Sequence, residues 1–403
     1  MVKRMKKSVR DLGDIKGKVA LVRVDVNVPL DADKNVTDDT RIQAIIPTVR
    51  FLQEKGAKIV LMAHLGRPKG EKNMEFTLLP VAKKMSEILG EEVVFVSDCI
   101  GDVAKEAISK LKEGQVALLE NIRFYKEEEK NDPAFAQKLA DLADFYVNDA
   151  FGAAHRGHAS TTGVAHLLHP AVSGLLMEKE LKCLGGALNN PQRPFTAIVG
   201  GAKVSTKIGV LENLIDKVDN IIIGGGMTYT FVKAEGFSVG NSICEDDQIE
   251  TAKAIVKKAK EKGVTLVMTE DVLIADDFSP TANVKVVEAN AIPDGWEGVD
   301  AGEKTRAKFA EVIKKSKTIL WNGPVGAFEM DVFTEGTKAV ALAVQEATKN
   351  GAVSVLGGGD TVAAVKKYNL DEASFTHIST GGGASLEFIE GKVLPGVDAL
   401  DNK

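Results

Sequence analysis

With 403 residues the chain exceeds what one hydrophobic core usually supports, and two domains of roughly 200 residues each are the default expectation. Hydrophobic residues make up 44% and charged residues 27%, the mix of an ordinary globular chain, which excludes a disordered or fibrous protein. A formal net charge of −6 argues against nucleic acid or an anionic membrane as the main partner, because either needs a broad positive footprint.

The start, Met-Val-Lys-Arg-Met-Lys-Lys, is basic but leads into no apolar segment of signal length, and no window reaches the roughly 18 apolar residues of a membrane span. The expectation is a solvated tail on a cytoplasmic protein. Cys99, Cys183 and Cys244 show neither metal-ligand spacing nor a disulfide framework, which fits a reducing compartment.

Short apolar, β-branched runs then recur at 18–24, 57–63, 93–96, 115–119 and 145–147. The series resumes at 196–199, 220–223, 264–268, 285–287, 318–321, 353–356 and 377–379. Runs this short and this continuously apolar read as strands buried on both faces of parallel sheets. Helices fill the gaps: 77–89 ends before Gly90, 133–143 opens on Pro133, and 247–262 stops at Gly263. Between the two series, 173–188 carries Leu175, Leu176, Leu181, Leu184 and Leu188 at helical spacing, although Gly185-Gly186 weakens its last turns. Asn189-Asn190-Pro191-Gln192-Arg193-Pro194 is the strongest boundary signal. The predicted fold is α/β: two doubly wound, Rossmann-like parallel-sheet domains, 1–172 and 191–391, joined by a helix over 173–190 and a hinge.

Ligands of such sheets bind beyond the carboxyl ends of the strands, and the polar residues cluster there. After the first run comes Arg23-Val24-Asp25-Val26-Asn27, after the second His64-Leu65-Gly66-Arg67, after the fourth Glu120-Asn121-Ile122-Arg123, and after the fifth Asn148-Asp149 leading to His155-Arg156-Gly157-His158. Guanidinium and imidazole groups at matching topological positions suit a small anion, with Asp25 and Asn27 available to a hydroxyl. A helix cap or a satisfied core position is the plainer role for each histidine, and His166 and His169 look structural.

In the second half Gly200-Gly201-Ala202-Lys203 leads to Lys207, and the pair is expected four apart on one helical face, within reach of a polyphosphate. This is not a Walker A loop, and no Gly-x-Gly-x-x-Gly follows the first strand, which excludes a nicotinamide dehydrogenase fingerprint. Near the end, Gly357-Gly358-Gly359-Asp360-Thr361 offers a carboxylate for a nucleotide-bound Mg²⁺, and Gly381-Gly382-Gly383 offers amides at a helix start. One half can grip an anion and the other a metal-bound nucleotide. That division predicts phosphoryl transfer across a cleft.

These residues, in this order and over essentially the whole chain, resemble the phosphoglycerate kinase family. The resemblance rests on Arg-Val-Asp-Val-Asn-Val-Pro at 23–29, Asp-Asp-Thr-Arg-Ile at 38–42, His-Leu-Gly-Arg-Pro at 64–68, Glu-Asn-Ile-Arg-Phe at 120–124 and Asn-Asp-Ala-Phe at 148–151 with His-Arg-Gly-His. It continues through Gly-Gly-Ala-Lys-Val-Ser-Thr-Lys at 200–207, Trp-Asn-Gly-Pro-Val-Gly-Ala-Phe-Glu at 321–329, Gly-Gly-Gly-Asp-Thr, and Ser-Thr-Gly-Gly-Gly-Ala-Ser at 379–385. Val26 departs from the bulkier residue of that motif. What the resemblance implies is reversible transfer of the acyl phosphate of 1,3-bisphosphoglycerate to MgADP, giving 3-phosphoglycerate and MgATP, the glycolytic and gluconeogenic step. It assigns the acid to Asp25, Asn27, Arg41, His64, Arg67, Arg123 and Arg156. Nucleotide contacts fall to Lys207, Gly225, Gly298, Glu329, Gly358, Gly359, Asp360 and Thr361, with Asp360 toward Mg²⁺. Arg41, Lys203 and the amides near Gly381 and Gly382 would neutralise the moving phosphoryl group. The resemblance also implies a monomer whose tail, 392–403, returns to the first domain.

The chemistry agrees: a carboxylate acceptor is already ionised at neutral pH, so in-line attack needs alignment and charge neutralisation but no general base. A kinase for a smaller carboxylic acid would leave Arg67, Arg123 and Arg156 without a role. A nucleotide sensor would not need Arg41, Lys203 and Asp360 together.

Overall fold

The structure, a computed structural model, describes residues 5–403 and divides into two compact units, 1–181 with 393–403, and 182–392. Residues 1–4 of the basic start lie outside the described residues. The part that is described is not a solvated tail. Lys6 Nζ donates to the carbonyls of Asp398 and Leu400, each at 2.8 Å, and the Lys7 amide donates to Asp401 O at 2.8 Å. A strand-like pairing with the C-terminal segment replaces solvation there.

In the first unit, β1 (Val19–Arg23), β2 (Lys58–Met62), β3 (Val93–Val96), β4 (Val116–Leu119), β5 (Phe145–Asn148) and β6 (Ala171–Ser173) form one parallel sheet in the order β3-β4-β2-β1-β5-β6. Their side chains alternate between two cores, as a sheet with helices on both faces requires. Ala20, Val22, Ile59, Leu61, Leu118 and Val147 pack on one face, and Leu21, Val60, Met62, Leu119 and Tyr146 on the other. Ala399 and Leu400, from the C-terminal segment, complete the second core. The helix Leu79–Leu89 stops at Gly90 in the left-handed conformation, φ +71°, and Pro133–Ala140 starts on proline with Asp132 capping the Phe135 amide at 2.9 Å.

The helix Leu175–Asn189 starts in the first unit, and the division between units falls within it. It continues through Gly185 and Gly186, so the expected weakening does not end it. The Asp149 carboxylate accepts the Leu176 and Met177 amides at 3.0 and 3.2 Å, anchoring its first turn.

In the second unit, β7 (Phe195–Val199), β8 (Asn220–Ile223), β9 (Thr265–Val267), and, beyond an insertion, β13 (Thr318–Asn322), β14 (Val353–Gly357) and β15 (His377–Ile378) form a second parallel sheet. The insertion is a separate antiparallel sheet of β10 (Asp271–Ala275), β11 (Val284–Glu288) and β12 (Glu297–Ala301), with β10 in the middle. It corrects the sequence expectation at 285–287. That run is neither buried nor parallel: Val284 and Val286 are 47% and 53% exposed. β-branched residues mark a strand without specifying its partner.

In the order β15-β14-β13-β7-β8-β9 the connections leave β7 and β13 in opposite directions. A crevice opens beyond the carboxyl ends of such a pair. In the first unit the corresponding pair is β1 and β5.

Candidate active site

In the first unit Arg23 closes β1 and is wholly buried. Its Nε donates to Ser160 Oγ at 2.9 Å, Nη1 donates to the Val24 carbonyl, and Nη2 meets His64 Nδ1 at 2.9 Å. Ser160 in turn donates its hydroxyl to Glu128 Oε1 at 2.7 Å and its amide to both carboxylate oxygens at 3.1 and 3.3 Å. Burial pushes the Glu128 carboxyl up, and Arg23 opposes that shift.

Around this buried line stand the predicted anion residues. Asp25 accepts Arg41 Nη1 at 3.0 and 3.1 Å and the Asn27 amide at 3.3 Å, and Asn27 Oδ1 accepts the Gly66 amide at 2.9 Å. Gly66 must be glycine: it has φ +62°, and a Cβ would lie 2.3 Å from the Phe76 ring. Arg123 is only 8% exposed; Nη1 reaches the Gly66 carbonyl at 3.5 Å, and its buried Nε has no hydrogen-bond partner.

Burial, then Arg23, Arg123, Arg41 and His158, hold the His64 imidazole well below its usual range. Burial, then Arg123, Arg23 and Arg156, push His158 down to about 4. Both rings are therefore neutral at physiological pH, and the positive charge rests on guanidinium. The structure thus brings together Asp25, Asn27, Arg41, His64 and Arg123, with Arg156 exposed at the edge, its Nε 3.4 Å from His155 Nε2. Arg67 is exposed, and among the described residues no hydrogen bond or ion pair ties it to the others.

In the second unit the crevice between β7 and β13 is lined by backbone in close approach. The Gly200 amide donates to Asn322 O at 2.9 Å, and a Cβ on Gly225, φ +75°, would lie 2.5 Å from Gly201 O. Lys207 Nζ donates to Asn322 Oδ1 at 2.5 Å, while Asn322 Nδ2 donates to Gly357 O at 3.0 Å. Burial pulls the Lys207 ammonium down, and the charges of Asp360 and Glu390 push it back up. Gly358, φ +95°, precedes the helix Gly359–Lys367, which carries Asp360 exposed in its first turn. Thr361 Oγ1 accepts the Gly323 amide at 2.8 Å. Lys207, Asp360, Thr361 and the glycines around them thus share one neighbourhood.

Lys203 and Lys207 do not stand on a helix. Residues 201–207 form an irregular loop, and the helix, Ile208–Ile215, begins only after Lys207. Gly201, at φ +130°, starts that loop, which leaves Lys203 exposed. Glu329 is exposed, with its carbonyl accepting Lys367 Nζ at 3.1 Å. Gly298 lies in β12, its amide donating to Ser242 Oγ at 2.8 Å under the Tyr229 ring. Gly382, φ +54°, precedes the helix Gly383–Ile389, and the Gly381 amide donates to Ser379 Oγ at 3.2 Å. A cavity of about 270 Å³ elsewhere in this unit, lined by Thr228, Val232, Glu235, Glu270, Glu288 and Lys304 among others, holds none of the predicted residues.

Asn322 and Ser160 were absent from the sequence-derived site. A polar residue ending an otherwise apolar run was the available signal for Asn322. Glu128 sits in Lys126-Glu127-Glu128-Glu129, which reads as a solvated charge run.

The sequence model of the phosphoglycerate kinase family matches residues 9–392. The chain is 56% identical over 398 residues to "Phosphoglycerate kinase 2, chloroplastic" of Arabidopsis thaliana, covering 98% of this chain and 83% of that protein. Its structure is similar to phosphoglycerate kinase from Coxiella burnetii, with TM-score 0.91, 41% identity and 98% of both chains covered. It is also similar to that from Pyrococcus horikoshii OT3, with TM-score 0.77, 32% identity and 98% of both chains covered. With its paired parallel-sheet units and these matches along its length, the chain belongs to the phosphoglycerate kinase family, phosphotransferases that move the acyl phosphate of 1,3-bisphosphoglycerate reversibly to ADP.

Proposed function

We propose that the first unit binds the phosphorylated acid and the second the magnesium nucleotide. The observation that carries this is Arg123: a guanidinium 8% exposed whose buried Nε lacks a partner, beside Arg23 and a neutral His64. Buried donors are rarely left without an acceptor, and one that faces an anion site is open to completion by the ligand. A phosphate and a carboxylate, each able to accept charge-assisted hydrogen bonds, fit that deficit. Arg67 and Arg156 supply further guanidinium to the phosphate, and Asp25 with Asn27 takes the hydroxyl.

In the second unit Lys207 and the amides around Gly358 and Gly359 hold nucleotide phosphates, while Gly225, Gly298 and Glu329 contact the nucleoside. Among the described residues no group of three or more His, Cys, Asp or Glu could hold a metal ion. Magnesium would arrive on the nucleotide, with Asp360 adding one carboxylate to phosphate oxygens and water. Magnesium would neutralise charge on the polyphosphate.

The reacting oxygen is a carboxylate, ionised without help, and neutral His64 and His158 are not needed as bases. Arg41, Lys203, Gly381 and Gly382 neutralise the phosphoryl group in transit; Gly381 must exchange its bond to Ser379 Oγ to take part. Transfer needs the reacting atoms within about 3–3.5 Å, so closure of the two units on their substrates is part of the proposal. We further read the protein as a monomer of the cytoplasm, a compartment compatible with its three free cysteines. Among the described residues no helix is long and apolar enough to cross a membrane.

A coupled assay supplying 1,3-bisphosphoglycerate and ADP should yield ATP with magnesium and almost none without it. ATP formed equally well from acetyl phosphate would sink the assignment of the arginines to a distal phosphate.

A further inference from the structure

We propose that Glu128 and Ser160 are positioning residues that, through Arg23, lock His64 in the tautomer whose Nδ1 accepts and whose Nε2–H donates to an anionic oxygen of the bound acid. The proposal rests on the assignment of the acid to the first unit.

A guanidinium has donors only, so the 2.9 Å contact of Arg23 Nη2 with His64 Nδ1 makes Nδ1 the acceptor and places the ring proton on Nε2. Among the described residues this is the only hydrogen bond of the His64 ring, which leaves Nε2–H without a protein acceptor. The Val24 carbonyl holds Nη1, and Ser160 fixes the guanidinium from the Nε side. Its Oγ accepts Arg23 Nε at 2.9 Å, and its own proton goes to Glu128 Oε1 at 2.7 Å. The serine hydroxyl can accept from Arg23 because its proton is committed to the carboxylate. Arg23, Glu128 and Ser160 are all fully buried, so the line has no alternative partner in water.

Protonation of His64 would destroy its acceptor and set an imidazolium against the charges that face it, Arg23, Arg123 and Arg41, with His158 adjacent. The ring is therefore a fixed, uncharged donor. An interchange of tautomers would turn an acceptor lone pair toward the anion.

The test uses the whole, uniformly ¹⁵N-labelled protein and long-range ¹H–¹⁵N correlation. His64 should show an unprotonated Nδ1 and a protonated Nε2 throughout about pH 7 to 8. A protonated Nδ1, or an imidazolium signature in that range, overturns the proposal without any variant. In Ser160→Ala the His64 signals should mix tautomers, and the KM for 3-phosphoglycerate should rise about tenfold, the loss of one charge-assisted hydrogen bond. The KM for MgATP should hold, and Ser160→Thr should restore the signature. An unchanged His64 signature and unchanged KM in Ser160→Ala refute the positioning role. His64→Ala separates the two claims: a wild-type KM for the acid there would refute the acid site itself, whatever the tautomer.

Discussion

Replacing Arg123 by methionine should move stability and binding in opposite directions. The guanidinium is 8% exposed and its Nε is orphaned, and among the described residues its side chain makes one hydrogen bond, at 3.5 Å. Burial, followed by the charge of Arg23, pulls its pKa down, so the site disfavours the cation it holds. An unmet buried donor costs about 1–3 kcal/mol, and methionine fills the space of the stem without one. The ligand-free first unit should therefore keep its stability or gain about 1 kcal/mol. Binding should weaken by about a hundredfold, the equivalent of about 2.7 kcal/mol in charge-assisted hydrogen bonds to a phosphate. At 3-phosphoglycerate equal to 100 times the wild-type Kd, ligand stabilises the wild type by about 2.7 kcal/mol and the variant by only about 0.4. Native-state hydrogen exchange on β1 and β2 amides, with and without ligand, reads the first unit alone. The reasoning fails if Arg123→Met lowers ligand-free protection by more than about 2 kcal/mol yet keeps the full ligand effect, because Arg123 would then be structural.

Arg41→Ala should lower kcat strongly while the Kd for MgADP stays near wild type; near-normal turnover would remove Arg41 from the transition state. Gly298→Ala would place a Cβ 2.1 Å from Tyr229 Cζ, an overpacking expected to lower stability by about 1–3 kcal/mol and to weaken nucleotide binding, both of which thermal unfolding with and without MgADP would report. Burial raises the Asp149 carboxyl to about 6, against about 3.9 unfolded, so the folded state binds the extra proton and this contribution is lost as pH rises from about 4 through 6, by up to about 3 kcal/mol. Asp149→Asn lacks that loss, and its stability relative to wild type should climb across the same window; a difference that is flat with pH in urea unfolding would contradict the assignment.

The two parallel sheets were legible because their strands are short, β-branched and apolar on both faces, as in Ile59-Val60-Leu61-Met62. The antiparallel insertion was not, because β10 and β12 carry buried acids that look like loop residues. Asp271 accepts the Lys304 and Thr305 amides at 3.1 and 2.8 Å, capping the helix Glu303–Lys315. Asp300 accepts the Gly336 amide at 2.9 Å in the first turn of Glu335–Lys349, and burial lifts its carboxyl to about 7. Strand position and capping role are separated by 34 and 36 residues, which no local pattern records. At the candidate site the same limit applies: Arg23 and Arg123 stand out beside their apolar runs, but Glu128 and Ser160 acquire meaning only through partners far along the chain.

That buried partnership also explains how the first unit keeps its charge available. A direct Arg23–Glu128 pair would hold both groups in a mutual fork and largely cancel the field each exerts on its surroundings. Interposing Ser160 satisfies Nε and the carboxylate through a neutral hydroxyl, which leaves Nη1 for the Val24 carbonyl and Nη2 for His64. Glu128 still offsets the burial of Arg23, since the low local dielectric carries its charge across the serine. Asp25 is similarly occupied by Arg41, a half-buried arm. Among the described residues no carboxylate is hydrogen-bonded to Arg123, and the ring nearest Arg23 is kept neutral. The positive excess is thus concentrated on guanidinium groups that protein acceptors do not saturate, the state in which an incoming phosphorylated acid gains most from binding.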